Sequence, residues 1–334
     1  MTLFSCLYFV TYRCNSRCGY CNIWRNPNLQ DIGQARFSDA EQNINDLKKL
    51  GVYLIDFTGG EPLLNKELPQ MLQAAKHLGL RVHLSTNGLL YPEKADEIRG
   101  YVDTLYVSLD TLAPKEYQQI RGIDGFEKVM ESVELARRLS QNVCLLYTAT
   151  NENISNIPDL VEFSRRNKVI LYIKPCFSYF GNEALYEKYI TTITKYFWEP
   201  YVRMSLTHMR FHSRGGNSPE HPRCRAGKAT FDLSPDNCIL VPCFQHHQRK
   251  LPLGQGLFSL YHSSAWDATF SQAGKYPFCA HCSIECNFGL SYLSRLRENF
   301  LLQNLSFIKY AMVQRSVSND RKKRNEHGML YERV

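Results

Sequence analysis

The chain has 334 residues, of which 44% are hydrophobic and 22% are charged, and its formal net charge is +8. This length and apolar content exclude disorder as the main state and suffice for one large globular domain plus a smaller one. The charge is modest and spread out, and nucleic-acid-binding signatures are absent, so we expect no nucleic-acid partner. The apolar run at 3–10 lacks a basic leader and is too short to span a bilayer, which predicts a cytoplasmic protein.

Up to about residue 175, β-branched apolar runs alternate with amphipathic segments. The predicted strands are Leu7–Thr11, Tyr53–Phe57, Arg81–Ser85, Thr104–Leu109, Val143–Thr148 and Ile170–Lys174. A capping box from Ser38 to Glu41 predicts the start of the first helix. The helices predicted after it are Glu67–Leu78, Glu93–Arg99, Gly125–Leu139 and Pro158–Asn167. Six β/α units predict a parallel sheet covered by helices. Since a closed barrel needs eight units, the predicted fold class is α/β, an open partial (β/α)6 TIM-like barrel.

The rest of the chain changes character. A helical segment at about 182–203 leads to a stretch rich in Gly, Ser, Pro and His at 212–222, where we place a domain boundary. The predicted units are the barrel with its trailing helix at 1–211, a small cysteine-rich α+β auxiliary-cluster domain at 212–290, an amphipathic helix at 291–316 and a basic tail at 317–334. The apolar stripe from Leu293 to Met312 predicts packing against the barrel, or a peripheral membrane contact at an anionic lipid surface.

Polar and cysteine side chains follow the predicted strands at their carboxyl ends. Residues 14–21 follow the first strand, 58–62 the second and 85–88 the third, while Ser108 and Asp110 close the fourth. In parallel α/β folds the loops leaving the carboxyl ends of the strands carry the reactive groups. We therefore predict one functional site at this edge of the sheet.

Three cysteines lie close together on the first of these loops. Cys14, Cys18 and Cys21 are separated by three and two residues, a spacing that allows them to bind three irons of a four-iron cluster. Such clusters normally have four thiolate ligands, so three leave one iron open. The alternative is a structural zinc site that lacks its fourth ligand. Three isolated cysteines in apolar segments are interpreted as buried packing residues: Cys6, Cys144 and Cys176.

The Cys-x3-Cys-x2-Cys spacing, with Tyr20 before the last cysteine, and the later Gly59-Gly60-Glu61-Pro62 segment resemble the radical S-adenosylmethionine (SAM) superfamily. The resemblance covers about residues 5 to 176. It implies that a [4Fe-4S] cluster binds the amino and carboxylate groups of SAM through its open iron. It also implies that an electron from a donor such as flavodoxin or ferredoxin cleaves SAM to methionine and a 5′-deoxyadenosyl radical, which abstracts hydrogen from the substrate.

The resemblance also implies which residues contact SAM. Gly59 and Gly60 lack a Cβ, so their backbone can approach the ligand, and Glu61 can accept a hydrogen bond from the SAM ammonium. Asn153 follows the fifth strand, where similar enzymes place a polar contact. Lys174 could meet an anionic carboxylate or phosphate, or be a surface lysine. The predicted SAM-binding residues are Tyr20, Gly59, Gly60, Glu61, Thr86, Asn87, Ser108, Asp110, Asn153 and Lys174.

A second group of cysteines resembles the auxiliary-cluster extensions of this superfamily, called SPASM or, when shortened to one cluster, twitch domains. The resemblance begins with Cys224-Arg-Ala-Gly227. It implies one further [4Fe-4S] cluster, for which the predicted ligands are Cys224, Cys243 and two or three of Cys279, Cys282 and Cys286. Cys238 is left out, because the pattern tolerates any residue there. A zinc ribbon is the alternative.

These features predict a radical SAM enzyme of the oxidoreductase or lyase type. An auxiliary cluster could accept the electron of a substrate radical or only help to position the substrate. Peptide-modifying relatives often carry an N-terminal leader-recognition domain, and here the first strand begins within ten residues, so we expect a small-molecule or lipid-like biosynthetic substrate. Two alternatives remain, a peptide or protein maturase and a non-catalytic, metal-stabilised binding module.

Overall fold

The computed structural model describes residues 3–178, 182–246, 249–285, 305–306, 308–313, 315 and 317. Within these residues, ten strands form a single sheet. The strands are β1 (Ser5–Thr11), β2 (Leu54–Gly59), β3 (Arg81–Thr86), β4 (Thr104–Ser108), β5 (Val143–Ala149), β6 (Ile170–Pro175), β7 (Val202–Arg203), β8 (Thr230–Leu233), β9 (Cys238–Leu240) and β10 (Lys250–Pro252). The first six agree with the predicted strands to within two residues at each end.

The sheet is mainly parallel and stays open. Its order is β10-β9-β8-β1-β2-β3-β4-β5-β6-β7, and β1 to β7 are paired in parallel with their neighbours. β8 joins the other side of β1 in parallel, whereas β9 and β10 run antiparallel. Among the described residues β7 and β10 are the two ends and do not pair with each other. The predicted open α/β barrel is therefore confirmed.

Helices connect the parallel strands. They are α1 (Pro27–Gln30), α2 (Phe37–Lys49), α3 (Leu68–His77), α4 (Tyr91–Ile98), α5 (Pro114–Arg121), α6 (Phe126–Arg138), α7 (Ile157–Asn167), α8 (Glu187–Thr194), α9 (Leu206–His212), α10 (Leu257–Tyr261) and α11 (Ser264–Phe270). The predicted capping box is wrong. Ser38 lies inside α2, whose N-cap Arg36 makes no side-chain cap bond, and the carboxylate of Glu67 accepts the N–H of Phe37 instead. A residue 30 positions away has replaced the local cap.

The two faces of the sheet differ in polarity. Ile55 and Phe57 of β2 are fully buried and pack with Ile44 and Leu47 of α2 in the main hydrophobic core. Side chains alternate between the faces of a strand, so Asp56 points to the opposite, inner face. The same alternation puts further polar and aromatic side chains of β3 to β6 on the inner face, namely His83, Ser85, Tyr106, Tyr172 and Lys174. The barrel therefore has an apolar exterior beneath the helices and an inner face on which polar and charged side chains lie among apolar and aromatic ones.

The cysteine-rich segment continues this sheet. β8 to β10 extend it past β1, so the predicted boundary near residue 212 does not coincide with an end of the sheet. Cys6, Cys144 and Cys176 are at most 4% exposed, which confirms them as buried packing residues.

The predicted C-terminal helix lies partly outside the described residues, which leave out 286–304. Of its apolar stripe, Ile308 and Met312 are 58% and 66% exposed. Tyr310, Val313 and Val317 instead pack against the apolar and aromatic side chains of β4 to β6. Leu305 of the predicted stripe packs against the main core, so the helix contacts the barrel through part of the stripe and through these three residues. No helix among the described residues has the length and apolarity needed to cross a membrane.

Candidate functional site

The loop after β1 carries the three closely spaced cysteines. Cys18 is 8% exposed, and Cys14 and Cys21 are half-buried. Burial raises the pKa of the Cys14 thiol to about 12 and that of Cys21 to about 11, and the neighbouring Cys18 adds to both shifts. The three thiols are thus close enough to interact, in surroundings that disfavour bare thiolates. A cationic iron cluster would offset this cost, so the donor set fits the predicted cluster.

The glycine pair after β2 contacts the start of this loop. A Cβ on Gly59 would lie 2.0 Å from the carbonyl oxygen of Thr11, and one on Gly60 would lie 2.3 Å from that of Arg13. The N–H groups of Gly60 and Glu61 donate to the same two carbonyls, both at 2.8 Å. The expected reason for two glycines was close approach to a ligand. In the structure the backbone of residues 11–13 already fills that space, so the pair sets the position of the segment that leads into Cys14.

Glu61 connects two of the predicted cofactor-binding loops. Its fully buried carboxylate accepts hydrogen bonds from the Thr86 hydroxyl at 2.7 Å, the Asn87 N–H at 2.7 Å and the Leu63 N–H at 3.1 Å. Burial raises its pKa to about 7, and these three donors oppose that shift. These bonds were not foreseen, and the expected hydrogen bond to the SAM ammonium stays a prediction.

Asn87 joins the loop after β3 to the cysteine loop. Its side-chain amide donates to Asn15 Oδ1 at 2.7 Å and Ser16 Oγ at 3.1 Å, and it lies 3.8 Å from Cys14 Sγ. Its Oδ1 accepts the N–H of Leu89 at 3.0 Å. Asn87 therefore orients the Cys14 segment from outside it.

Arg121, at the end of α5, contacts the site and was missed by the sequence reasoning. It is 4% exposed, with Nη1 3.7 Å from Cys18 Sγ and Nη2 2.6 Å from the Asp110 carboxylate. The second contact is an ion pair by distance and not an aligned hydrogen bond. The one signal in the sequence is the glycine that follows Arg121. Gly122 ends α5 with a left-handed φ of +64°, and a Cβ there would lie 2.6 Å from the carbonyl oxygen of Arg17.

Asp110, one of the predicted SAM-binding residues, has several protein partners. One carboxylate oxygen accepts the Tyr20 hydroxyl at 3.0 Å and also meets Arg121, and the other accepts the Thr148 N–H at 3.0 Å. The Arg121 guanidinium lies 5.6 Å from the centre of the Tyr20 ring. The buried Asp110 and Arg121 and the half-buried Tyr20 thus form one group next to Cys18. Its carboxylate is fully buried and engaged on both oxygens, and the expected contact between Asp110 and SAM stays a prediction.

A cavity of about 580 Å³ adjoins the cysteine loop. Its lining includes Gly19, Tyr20, Asn22, Arg25, Glu116, Gln119, Ile120, residues 150–153, Asn182 and Glu183. Asn153 lines it, yet the Asn153 amide accepts the Thr150 N–H at 2.8 Å and donates to Thr148 O at 2.9 Å. The structure therefore shows Asn153 holding its own turn, beside space large enough for a small organic ligand.

The inner face of the barrel carries paired charges. Lys174 lies 3.5 Å from the carboxylate of Glu285, which also accepts the Tyr172 hydroxyl at 2.8 Å. Asp56 accepts a hydrogen bond from Ser85 at 3.4 Å, and burial raises the Asp56 pKa to about 6 although Lys174 opposes the shift. Ser108, the last residue of β4, is half-buried at the same carboxyl edge. These groups form the charged and polar part of the inner face.

Four cysteines of the second group lie near one another. Burial raises the pKa of Cys224 to about 12, and Cys282 and Cys279 add to the shift, while Cys224 and Cys282 affect Cys243 in the same way. Phe211 packs against both Cys224 and Cys282. Cys286 lies outside the described residues.

Cys238 stands apart, since its thiol donates to Asp236 O at 3.4 Å and the other groups that shift its pKa are Asp236 and Lys250. Within the described residues no three metal-binding side chains are close enough for a single metal ion. A cluster distributes its thiolates over several irons.

Comparison with known proteins identifies a superfamily for the first half of the chain. Residues 8–164 match the family model of the radical SAM superfamily. Curated relatives include the probable GTP 3′,8-cyclase of Pyrococcus abyssi, 28% identical over 49% of this chain and 54% of the relative, and that of Archaeoglobus fulgidus, 30% identical over 59% and 66%. The chain spans about half the length of the first of these relatives.

Two solved structures share the fold over most of the chain. Streptococcus suis SuiB bound to the precursor peptide SuiA has a TM-score of 0.67 at 18% identity, covering 88% of this chain and 73% of SuiB. Native anSMEcpe with bound AdoMet has a TM-score of 0.61 at 17% identity, covering 95% of this chain and 99% of anSMEcpe. At such identities the likeness concerns the fold alone.

Proposed function

Because the chain belongs to the radical SAM superfamily, we propose that it cleaves SAM reductively and uses the resulting 5′-deoxyadenosyl radical to abstract hydrogen from a polar small molecule. The observation that carries the proposal is the meeting of three loops at one edge of the sheet. Cys14, Cys18 and Cys21 lie on the first, the glycine pair on the second contacts the first, and Asn87 on the third donates to it. A [4Fe-4S] cluster held there would supply the electron.

The protein's own residues position the cluster and shield it. Arg121 places a buried positive charge 3.7 Å from Cys18 Sγ, where it would stabilise the negative charge of an iron-bound sulfur. Asp110 and Tyr20 hold that guanidinium in place. The polar lining of the 580 Å³ cavity lies next to Tyr20, so this cavity is where we place the nucleoside part of SAM.

The charged groups on the inner face of the barrel favour a polar substrate over a lipid-like one. Asp56, Lys174 and Glu285 place charged groups there, and an alkyl chain would leave them desolvated without new partners. A peptide is the second candidate, because the crystal structure of SuiB, which aligns with 88% of this chain, contains the bound precursor peptide SuiA.

An auxiliary [4Fe-4S] cluster is the second part of the proposal. Cys224, Cys243, Cys279 and Cys282 supply four thiols that influence one another, with Cys286 as a further predicted ligand. All four have raised pKa values, chiefly through burial, as expected of thiols that need a metal to be stable as thiolates. We propose that this cluster accepts an electron during turnover or positions the substrate. Flavodoxin or ferredoxin is the proposed electron donor to the first cluster.

The decisive experiment measures 5′-deoxyadenosine after anaerobic reconstitution, with dithionite as reductant. We expect the wild type to form 5′-deoxyadenosine and Cys18→Ala to form none, because this substitution removes one of the three predicted cluster ligands. Cys238→Ala is the matched control and should keep the wild-type rate, since its thiol lies apart from both groups. Undiminished formation by Cys18→Ala would overturn the ligand assignment.

The auxiliary cluster and the substrate class need separate measurements. The reconstituted wild type should contain about eight iron and eight sulfide ions per chain. Cys282→Ala should contain about four of each and should still form 5′-deoxyadenosine. One zinc per chain in its place would contradict the second cluster. For the substrate, the enzyme is incubated with fractions of a deuterium-labelled cell extract. Deuterium should appear in 5′-deoxyadenosine with the small-molecule filtrate, whereas appearance only with the peptide fraction would favour the second candidate.

A further inference from the structure

A second, smaller cavity of about 170 Å³ lies beside α9 and shares no lining residue with the cavity next to the cysteine loop. Its lining is Thr207, Arg210, Phe211, Arg214, Gly216, Ser218, His221 and Arg223. Phe211 lines this cavity and also packs against Cys224 and Cys282. The cavity is therefore next to the auxiliary cysteines without including them.

The charged side chains in the lining of this cavity have one sign. Three arginines line it, and no acidic side chain does so among the residues that the structure describes. The nearby carboxylate of Glu220 accepts the Ser218 hydroxyl at 2.5 Å. Guanidinium groups present paired N–H donors that match the oxygens of phosphate, and they are less strongly hydrated than ammonium groups. Arginines gathered around so small a space favour a small anion with more than one negative charge.

A buried hydroxyl in the lining gives an independent indication of a ligand. Thr207 is 1% exposed, and within the described residues its Oγ1 has no hydrogen-bond partner. Buried hydroxyls almost always have a partner, since leaving one unpaired is unfavourable. An anion oxygen in the cavity that Thr207 lines would accept this hydroxyl.

We propose that this cavity binds a phosphate group, held by the guanidinium groups of Arg210, Arg214 and Arg223 and by the hydroxyl of Thr207. A phosphate or phosphate monoester has a charge near −2 at neutral pH and balances the arginines better than a single carboxylate does. The volume of about 170 Å³ suits one or two phosphoryl groups and is too small for a nucleoside. The group can be free inorganic phosphate or the end of a phosphorylated metabolite. The site is separate from the proposed SAM site, so the inference does not rest on radical chemistry.

Isothermal titration of the reconstituted protein at constant ionic strength tests the proposal, with inorganic phosphate, pyrophosphate, glycerol phosphate and acetate as probes. Saturable binding of phosphate or pyrophosphate, and weaker binding of acetate, is expected. Binding of glycerol phosphate as tight as that of inorganic phosphate would identify a phosphorylated metabolite as the source, and its exclusion would identify the free ion. No saturable phosphate binding, or acetate binding of equal strength, would overturn the proposal.

Variants then connect binding to the residues. Arg214→Gln with Arg223→Gln should weaken phosphate binding about tenfold or more, because two charge-assisted interactions are lost. Arg138→Gln, at an exposed arginine of α6, is the matched control and should bind as the wild type does. If the double variant fails to fold by circular dichroism, Arg214→Lys and Thr207→Val replace it, and each should still weaken binding. Wild-type affinity in every folded variant would sink the proposal.

Discussion

The ion pair between Arg121 and Asp110 provides the sharpest test of how the cysteine loop is held. Both side chains are at most 5% exposed, and their closest nitrogen and oxygen lie 2.6 Å apart. Arg121→Gln would leave a buried carboxylate without its cation, and removal of one partner of a buried pair typically costs about 3–5 kcal/mol. Asp110 keeps hydrogen bonds from Tyr20 and Thr148, so we expect the lower end, about 3 kcal/mol.

The assay is anaerobic urea unfolding of the reconstituted protein, followed by circular dichroism. Asp110→Asn combined with Arg121→Gln removes both charges and should lose less than the sum of the two single changes. Arg138→Gln, at an exposed position, should stay within about 0.5 kcal/mol of the wild type. A free energy of unfolding unchanged in Arg121→Gln, or strict additivity in the double variant, would refute the reasoning.

The same substitution has a second, spectroscopic readout. The guanidinium lies 3.7 Å from Cys18 Sγ, and a nearby positive charge favours the reduced, more negative state of a cluster. Arg121→Gln should therefore lower the midpoint potential of the first cluster in a redox titration followed by electron paramagnetic resonance. A shift to higher potential would contradict this placement of the charge.

Three further predictions concern the neighbouring loops and the barrel interior. Gly60→Ala should destabilise the protein by about 1–3 kcal/mol, because its Cβ would lie 2.3 Å from Arg13 O, whereas Gly33→Ala, with open space around it, should have little effect in the same unfolding assay. Asp56 has a folded pKa of about 6, above its ordinary value of 3.8, so stability should fall as pH rises between these values, by at most about 3 kcal/mol. Asp56→Asn should remove this slope from a pH series of unfolding curves, and an unchanged slope would exclude Asp56 as its source. Lys174→Met should leave 5′-deoxyadenosine formation intact but slow substrate turnover, and equal losses in both would count against a role on the substrate side.

Local patterns in the sequence predicted much of the fold. The first six strands agree with their apolar runs because period-two burial and short β-branched segments are decided within a few residues. The cysteine spacing likewise defines a loop motif that is nearly independent of the rest of the chain. Family resemblance supplied the roles of these motifs, and the comparisons confirm the superfamily over residues 8–164.

Contacts between distant residues explain what sequence reasoning missed. Glu67 caps α2 from 30 positions away, and Arg121 reaches Cys18 across 103 positions. The residues next to Asp110 in the chain likewise give no indication that Arg121 and Tyr20 are its partners. The addition of β8 to β1 equally joins segments more than 200 residues apart.

The sequence by itself determined the strand-and-helix order and the three cysteines, since both follow from periodicity and spacing along the chain. The tertiary structure decided which polar groups near them are available and which are already paired. It paired Glu61 with Thr86 and Asn87, Asp110 with Arg121, and Lys174 with Glu285. The physical reason is that a buried charge or polar group must find a partner in three dimensions, and the identity of that partner depends on the packing of whole elements.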